Sequence, residues 1–126
     1  MRLLGSLAQL IAGCILLMAG VLKFLGGAPE IALFEALEME PFGRFLIGAL
    51  EIMAALLLAR RSTRATGALL AVGVMCGALI AHATHIGPTP GDDGGKHLGM
   101  LATLLLCSAY ILIRDRKRLP IIGNTL

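Results

Sequence analysis

Long apolar runs set the rhythm of this chain, and its polar residues gather at their edges. The first run covers residues 3–25 and is broken by Gln9 and by Lys23 near its end; others cover 42–59, 65–86 and 98–113. A membrane-crossing helix needs about 20 mostly apolar residues, with a range of roughly 17–25. Three runs meet that length directly, and the fourth meets it when His97 and Lys96 belong to it, giving a span over 97–113. The pattern predicts an all-α, four-helix transmembrane bundle forming a single membrane domain over 1–126.

The segments between the runs differ in character. In "EIALFEALEME", residues 30–40, Ile31, Phe34 and Leu37 recur at helical spacing with Glu30, Glu35 and Glu38 elsewhere around the turn. This predicts a short amphipathic outer helix between spans 1 and 2, ending before Pro41 and either lying on the outer surface or capping the bundle. "GPTPGDDGG" reads as a loop. The first run has a positive start at Arg2 and small residues after it, as a signal peptide does. Its apolar core exceeds the roughly 7–15 residues of a signal core, so an uncleaved span is expected.

Charge orients the bundle. Arg2, Arg60, Arg61, Arg64, Arg114, Arg116, Lys117 and Arg118 fall at one end of the predicted spans, against Lys23, Arg44 and Lys96 at the other. Short basic loops stay on the cytoplasmic side, so both termini are expected there. Glu30, Glu35, Glu38, Glu40, Asp92 and Asp93 fall outside. A sequence pI near 9.1 raises nucleic acid as a partner, but the one-sided basic residues serve topology and contact with anionic lipid instead. The composition agrees, with 57% hydrophobic and 15% charged residues, where soluble domains carry about 25% charged residues.

Small residues predict how the helices pack. Gly73 and Gly77, and Gly67 with Ala71, repeat the small-x-x-x-small spacing that lets helices approach closely in lipid. Cys14, Cys76 and Cys107 lie singly, without a C-x-x-C pair, and read as small buried fillers.

Placed by depth, the ionisable residues converge. Glu51 lies eight residues inside the second span, about 12 Å down at 1.5 Å per residue. Arg44 is seven positions earlier, and seven steps of about 100° return to within roughly 20° of the same face. Gly48 and Ala55 share that face. Lys23 closes the first span, His82 and His85 sit in the last two turns of the third, and His97 opens the fourth. The candidate ligand-binding set is therefore Lys23, Arg44, Glu51, His82, His85 and His97, all in the outer half. The inner half is expected to hold no matching group.

Simpler roles exist for these side chains. Lys23, Arg44 and His97 are placed to snorkel to the interface, His85 to sit at it, and Glu51 to form a structural pair with Lys23 or Arg44. Two chemistries suit a pocket. A carboxylate beside Lys or Arg, with His nearby, binds and exchanges protons with a small polar or quinone-like ligand. Alternatively His82, His85 and His97, with Glu51 or Asp92, could ligate a metal; this is the less favoured reading, because helical H-x-x-H spacing is common by chance.

The chain resembles the DoxX / DoxX-like family of small bacterial membrane proteins over roughly residues 7–115. The resemblance rests on "AGVLKF", "RFLIGALEIMAALLL", the basic turn and "AHATHIG". The family's G-x-x-K falls on Gly20 and Lys23, its G-x-x-E on Gly48 and Glu51, and the histidine of "TH" on His85. It implies a four-helix bundle in the bacterial inner membrane and links to redox chemistry, since one relative resembles the membrane subunit of a thiosulfate:quinone oxidoreductase. Other members associate with oxidative-stress enzymes. The leading expectation is thus a redox-system component holding a quinone or small ligand, with a redox protein as partner. A non-catalytic scaffold, docking through Gly73 and Gly77 or the acidic segment, is the alternative, followed by a small transporter.

Overall fold

The computed structural model describes residues 2–90 and 93–126. Its helices are α1 (Arg2–Leu25), α2 (Ala28–Ala36), α3 (Phe42–Ala59), α4 (Arg64–Ala81) and α5 (Lys96–Asp115). A π-helical turn, His82–Ile86, extends α4, and two short 3₁₀ turns follow α5. No strand occurs among the described residues. Four helices are long and apolar enough to cross a membrane, spanning Arg2–Leu25, Phe42–Ala59, Arg64–Ile86 and Lys96–Arg118. Lys96 and His97 thus belong to the fourth span.

The long helices form a ring in which α1 packs on α3, α3 on α4, α4 on α5, and α5 back on α1. Their outer surface is apolar: Leu10, Leu56, Leu106 and Ile113 are each more than 60% exposed. So much exposed apolar surface is a liability in water and an ordinary lipid-facing surface in a bilayer. The chain is a multi-pass membrane protein.

Small side chains bring the helices together. Ala12, Ala54, Ala65, Ala68 and Ala71 are fully buried, joined by Leu16, Leu58 and Ile111. At Gly67 an added Cβ would lie 2.8 Å from the backbone nitrogen of Leu58 and 2.9 Å from the Ala54 carbonyl oxygen, so α3 and α4 approach there at a distance only glycine permits. Gly73 and Gly77 behave differently. Neither would bring a Cβ within 4 Å of a neighbour, and both border a cavity. The exposed G-x-x-x-G pair therefore borders a groove open to the surface, whereas Gly67, with buried Ala71 on its face, makes the close seam.

The helix ends at the basic side are tied by polar contacts. Gln9 Nε2 donates to the Leu58 carbonyl at 2.6 Å, and Thr63 Oγ1 donates to that of Leu57 at 2.7 Å. These serve carbonyls that the last turn of α3 leaves without partners. The cysteines do not fill the core: Cys14 and Cys76 are exposed and Cys107 is half-buried. A thiol is weakly polar and sits as readily against lipid as against side chains, so burial was not required.

The outer helix is present but shifted. It starts at Ala28, with Pro29 in its first turn, and ends at Ala36. Proline suits a first turn because its missing N–H has no helical partner there. Phe34 is buried, and with Leu33 and Leu37 it lines the cavity, so α2 caps the bundle.

Candidate functional site

The site begins with two glycines. Where α1 crosses α3, a Cβ on Gly20 would lie 2.8 Å from the Gly48 carbonyl oxygen, and one on Gly48 would lie 3.1 Å from Lys23 Cβ. The backbones can cross this closely only without side chains, and Gly48 leaves the space along which the Lys23 stem runs. Its ammonium arrives 3.1 Å from Glu51 Oε2 and 3.8 Å from Glu30 Oε2. Lys23 and Glu51 are 5% and 4% exposed. The G-x-x-K and G-x-x-E spacings thus form one device, a glycine crossing that carries an ion pair.

The pair is unbalanced. Two carboxylates face one ammonium: at 3.1 Å it is within hydrogen-bond reach of Glu51 Oε2, and at 3.8 Å it is beyond that reach of Glu30 Oε2. Among the described residues the Glu51 carboxylate has no other donor. A buried carboxylate with so few donors is costly, and an ionisable group within the membrane is a candidate functional group.

Arg44 shares the buried face of Gly48, Glu51 and Ala55, as its spacing predicts, but it does not pair with Glu51. Its Nε lies 2.9 Å from both oxygens of Glu40, four residues earlier and ahead of α3, and Nη2 lies 2.8 Å from Oε1. Nη1 donates to the Lys23 carbonyl, and the guanidinium lies 4.4 Å from the centre of the Phe45 ring. Arg44 therefore ties the end of α1 to the start of α3 and stands behind the pair.

The histidines separate. His82 is buried at the start of the π turn, which the Gly87 N–H closes on the His82 carbonyl at 3.0 Å. His85 is exposed and contacts Thr84 Oγ1 at 2.7 Å. Three α-helical steps would have kept the two on one face. The wider turn carries His85 further round and out of the site, a local change common near functional positions. His82 instead meets His97: Nε2 lies 2.9 Å from His97 Nδ1, while its Nδ1 lies 2.6 Å from the Gly87 carbonyl oxygen.

Asp93 sets the start of α5 and so the position of His97. Its Oδ2 accepts from the His97 N–H at 3.0 Å and its Oδ1 from the Gly95 N–H at 2.8 Å. The bond from the His97 N–H, helped by that from Gly95, holds the Asp93 carboxyl below the usual carboxylate range. Lys96, beside it, is exposed and outside the site.

Lys23, Glu51, His82 and His97 together line one end of a cavity of about 920 Å³. The rest is apolar and reaches along α3 and α4 to Leu57 and Thr66. From His82 to Thr66 is sixteen residues, about 24 Å of helix at 1.5 Å per residue. The arrangement is a polar head on a long apolar groove. It offers a metal little: both His82 nitrogens are engaged, His85 is turned away, and among the described residues no three His, Cys, Asp or Glu side chains converge. Asp92, the other candidate ligand, lies outside the described residues.

A second polar cluster lies at the basic end, where none was expected. Asp115, 6% exposed, accepts a two-pronged contact from Arg64, with Nε to Oδ2 and Nη2 to Oδ1 both 2.9 Å. Arg114 and Arg118 reach it at 2.9 and 3.4 Å. Its signal in the sequence was one acid inside "RDRKR". Glu40 was not read as the partner of Arg44, because it precedes α3 and the helical spacing rule does not reach it. Glu30 was not read as a partner of Lys23, because its approach depends on the turn between α1 and α2. No family model, curated protein or solved structure matches the chain.

Proposed function

We propose that this is a DoxX-like protein of the bacterial inner membrane that holds a quinone or similar small ligand in its outward cavity, as a component of a membrane redox system. The observation that carries this reading is Glu51, a buried carboxylate whose one donor group is a shared ammonium, on the wall of a cavity of about 920 Å³. Sites for small molecules span roughly 300–1,000 Å³ and combine apolar walls with a few placed polar groups. A ring-shaped polar head fits between Lys23, Glu51 and His97, and an isoprenoid-like tail fits the groove toward Thr66. Gly20, Lys23, Gly48 and Glu51, on which the resemblance rests, meet at one crossing, while His85 stands apart. The basic residues at the other end support a head-group site on the outer side.

Gly73 and Gly77, which raised the scaffold alternative, border this cavity. Native mass spectrometry of gently extracted protein tests the proposal. The expected result is a retained isoprenoid quinone that Glu51→Gln loses. Bare protein that also gains no thermal stability from added quinone overturns it.

A further inference from the structure

The hydrogen-bonding polarity of the site specifies what its ligand must offer. A carbonyl oxygen only accepts, so the contact with Gly87 places a proton on His82 Nδ1. In the neutral ring, His82 Nε2 is then an acceptor, and the 2.9 Å contact makes His97 Nδ1 the donor. That leaves the lone pair of neutral His97 on Nε2, which has no protein partner among the described residues. Two elements thus bring acceptors to the head of the cavity, Glu51 from α3 and His97 from α5, while Glu30 of α2 faces Lys23 outside the lining. Lys23 from α1 directs its ammonium at the two carboxylates, and Arg44 is held by Glu40. With Glu30, Glu40 and Glu51 against Lys23 and Arg44, acids exceed bases by one. α3 and α5 are not neighbours in the ring, so Glu51 and His97 approach the cavity from opposite walls.

We infer that the site selects a ligand head that donates hydrogen bonds, so that an aromatic redox head binds in its dihydroxy form in preference to the dicarbonyl form of the same skeleton, with Glu51 and His97 as the receiving groups. This rests on the ligand-site reading above and adds which redox form is held. A hydroquinone has two O–H donors for Glu51 and His97, whereas a quinone has only acceptors, and the donor that lines the head, the Lys23 ammonium, is already shared by two carboxylates. A long-chain primary amine shares the donor chemistry and serves as the comparison.

The test uses the full chain in lipid nanodiscs. Affinities are measured for a decyl-benzohydroquinone kept reduced, its oxidised partner and dodecylamine. The hydroquinone is expected to bind at least about tenfold more tightly than the quinone, the worth of one hydrogen bond to a charged acceptor. Glu51→Gln, whose amide also donates, should reduce the preference to within about twofold. His97→Leu removes one acceptor without touching the Lys23–Glu51 pair and should lower hydroquinone affinity more than quinone affinity, so the test survives if the Glu51 variant fails to fold. Equal or tighter quinone binding overturns the inference while leaving the ligand site intact. Tighter amine binding also overturns it by assigning the head to a cation, and failure of all three to bind overturns the site itself.

Discussion

At the basic end of the bundle one carboxylate, Asp115, faces three guanidinium groups; at the acidic end one ammonium, Lys23, faces two carboxylates. Both central groups are buried, yet their surroundings differ. Asp115 receives aligned donors from Arg64 and Arg114 and ties α4 to the end of α5 beside close-packed alanines. Glu51 has one donor group, the Lys23 ammonium at 3.1 Å that it shares with Glu30, and it lines a cavity. Hydrogen bonds along the right directions offset the cost of taking a charge from water, and charge proximity alone offsets less of it. The basic end therefore has the chemistry of a clasp, and the acidic end that of an ion pair with few donors beside a cavity.

The contrast can be broken or sharpened by substitution. Asp115→Ala should have the largest effect, because Arg64 and Arg114 would face each other without a counter-charge. A loss of about 3 kcal/mol is expected from the denaturation midpoint in detergent, with ligand affinity unchanged. Gly67→Val should cost about 1–3 kcal/mol by forcing α3 from α4. Gly77→Val, which meets open space, should stay within about 0.5 kcal/mol and weaken ligand binding instead. Similar losses from the two glycine variants would remove the distinction between seam and cavity.

Glu51→Gln should cost only about 1 kcal/mol, since Glu30 still faces Lys23, while abolishing ligand-dependent stabilisation. A loss as large as that of Asp115→Ala would make Glu51 a clasp as well. The smallest effect belongs to Asp93, whose carboxyl titrates below its ordinary value of 3.8 in the folded chain because it accepts the His97 and Gly95 N–H groups. Its contribution is present above that ordinary value and disappears as pH falls through the lower folded one. Hydrogen exchange at His97 should therefore accelerate in acid below about pH 4, with a much weaker change in Asp93→Asn.

Much of this was legible in the residues. Twenty-residue apolar runs leave a chain few alternatives to spanning helices, and the buried face of Arg44, Gly48, Glu51 and Ala55 follows from helical periodicity alone. The pairing of Arg44 was not, because one acid, Glu40, precedes α3 and another, Glu51, lies within it, and the path of the chain into α3 chooses between them. His85 was misplaced for a related reason: a three-residue spacing has one meaning in an α-helix and another in a π turn. The Asp115 clasp was hidden because its main partner, Arg64, is fifty-one residues away.

The sequence by itself determined the membrane spans, their helical form, the outer helix and the depth of Glu51, since these depend on local composition and on distances along one chain. Only the tertiary structure decided which charges meet, which glycines are seams and which are walls, and that a long cavity opens beneath His82 and His97. Those outcomes depend on how separate helices cross, and a crossing is set by many side chains acting at once. Glu51 could be placed in the membrane by counting residues; that its one donor group is an ammonium shared with Glu30 became visible only with α1 and α2 around it.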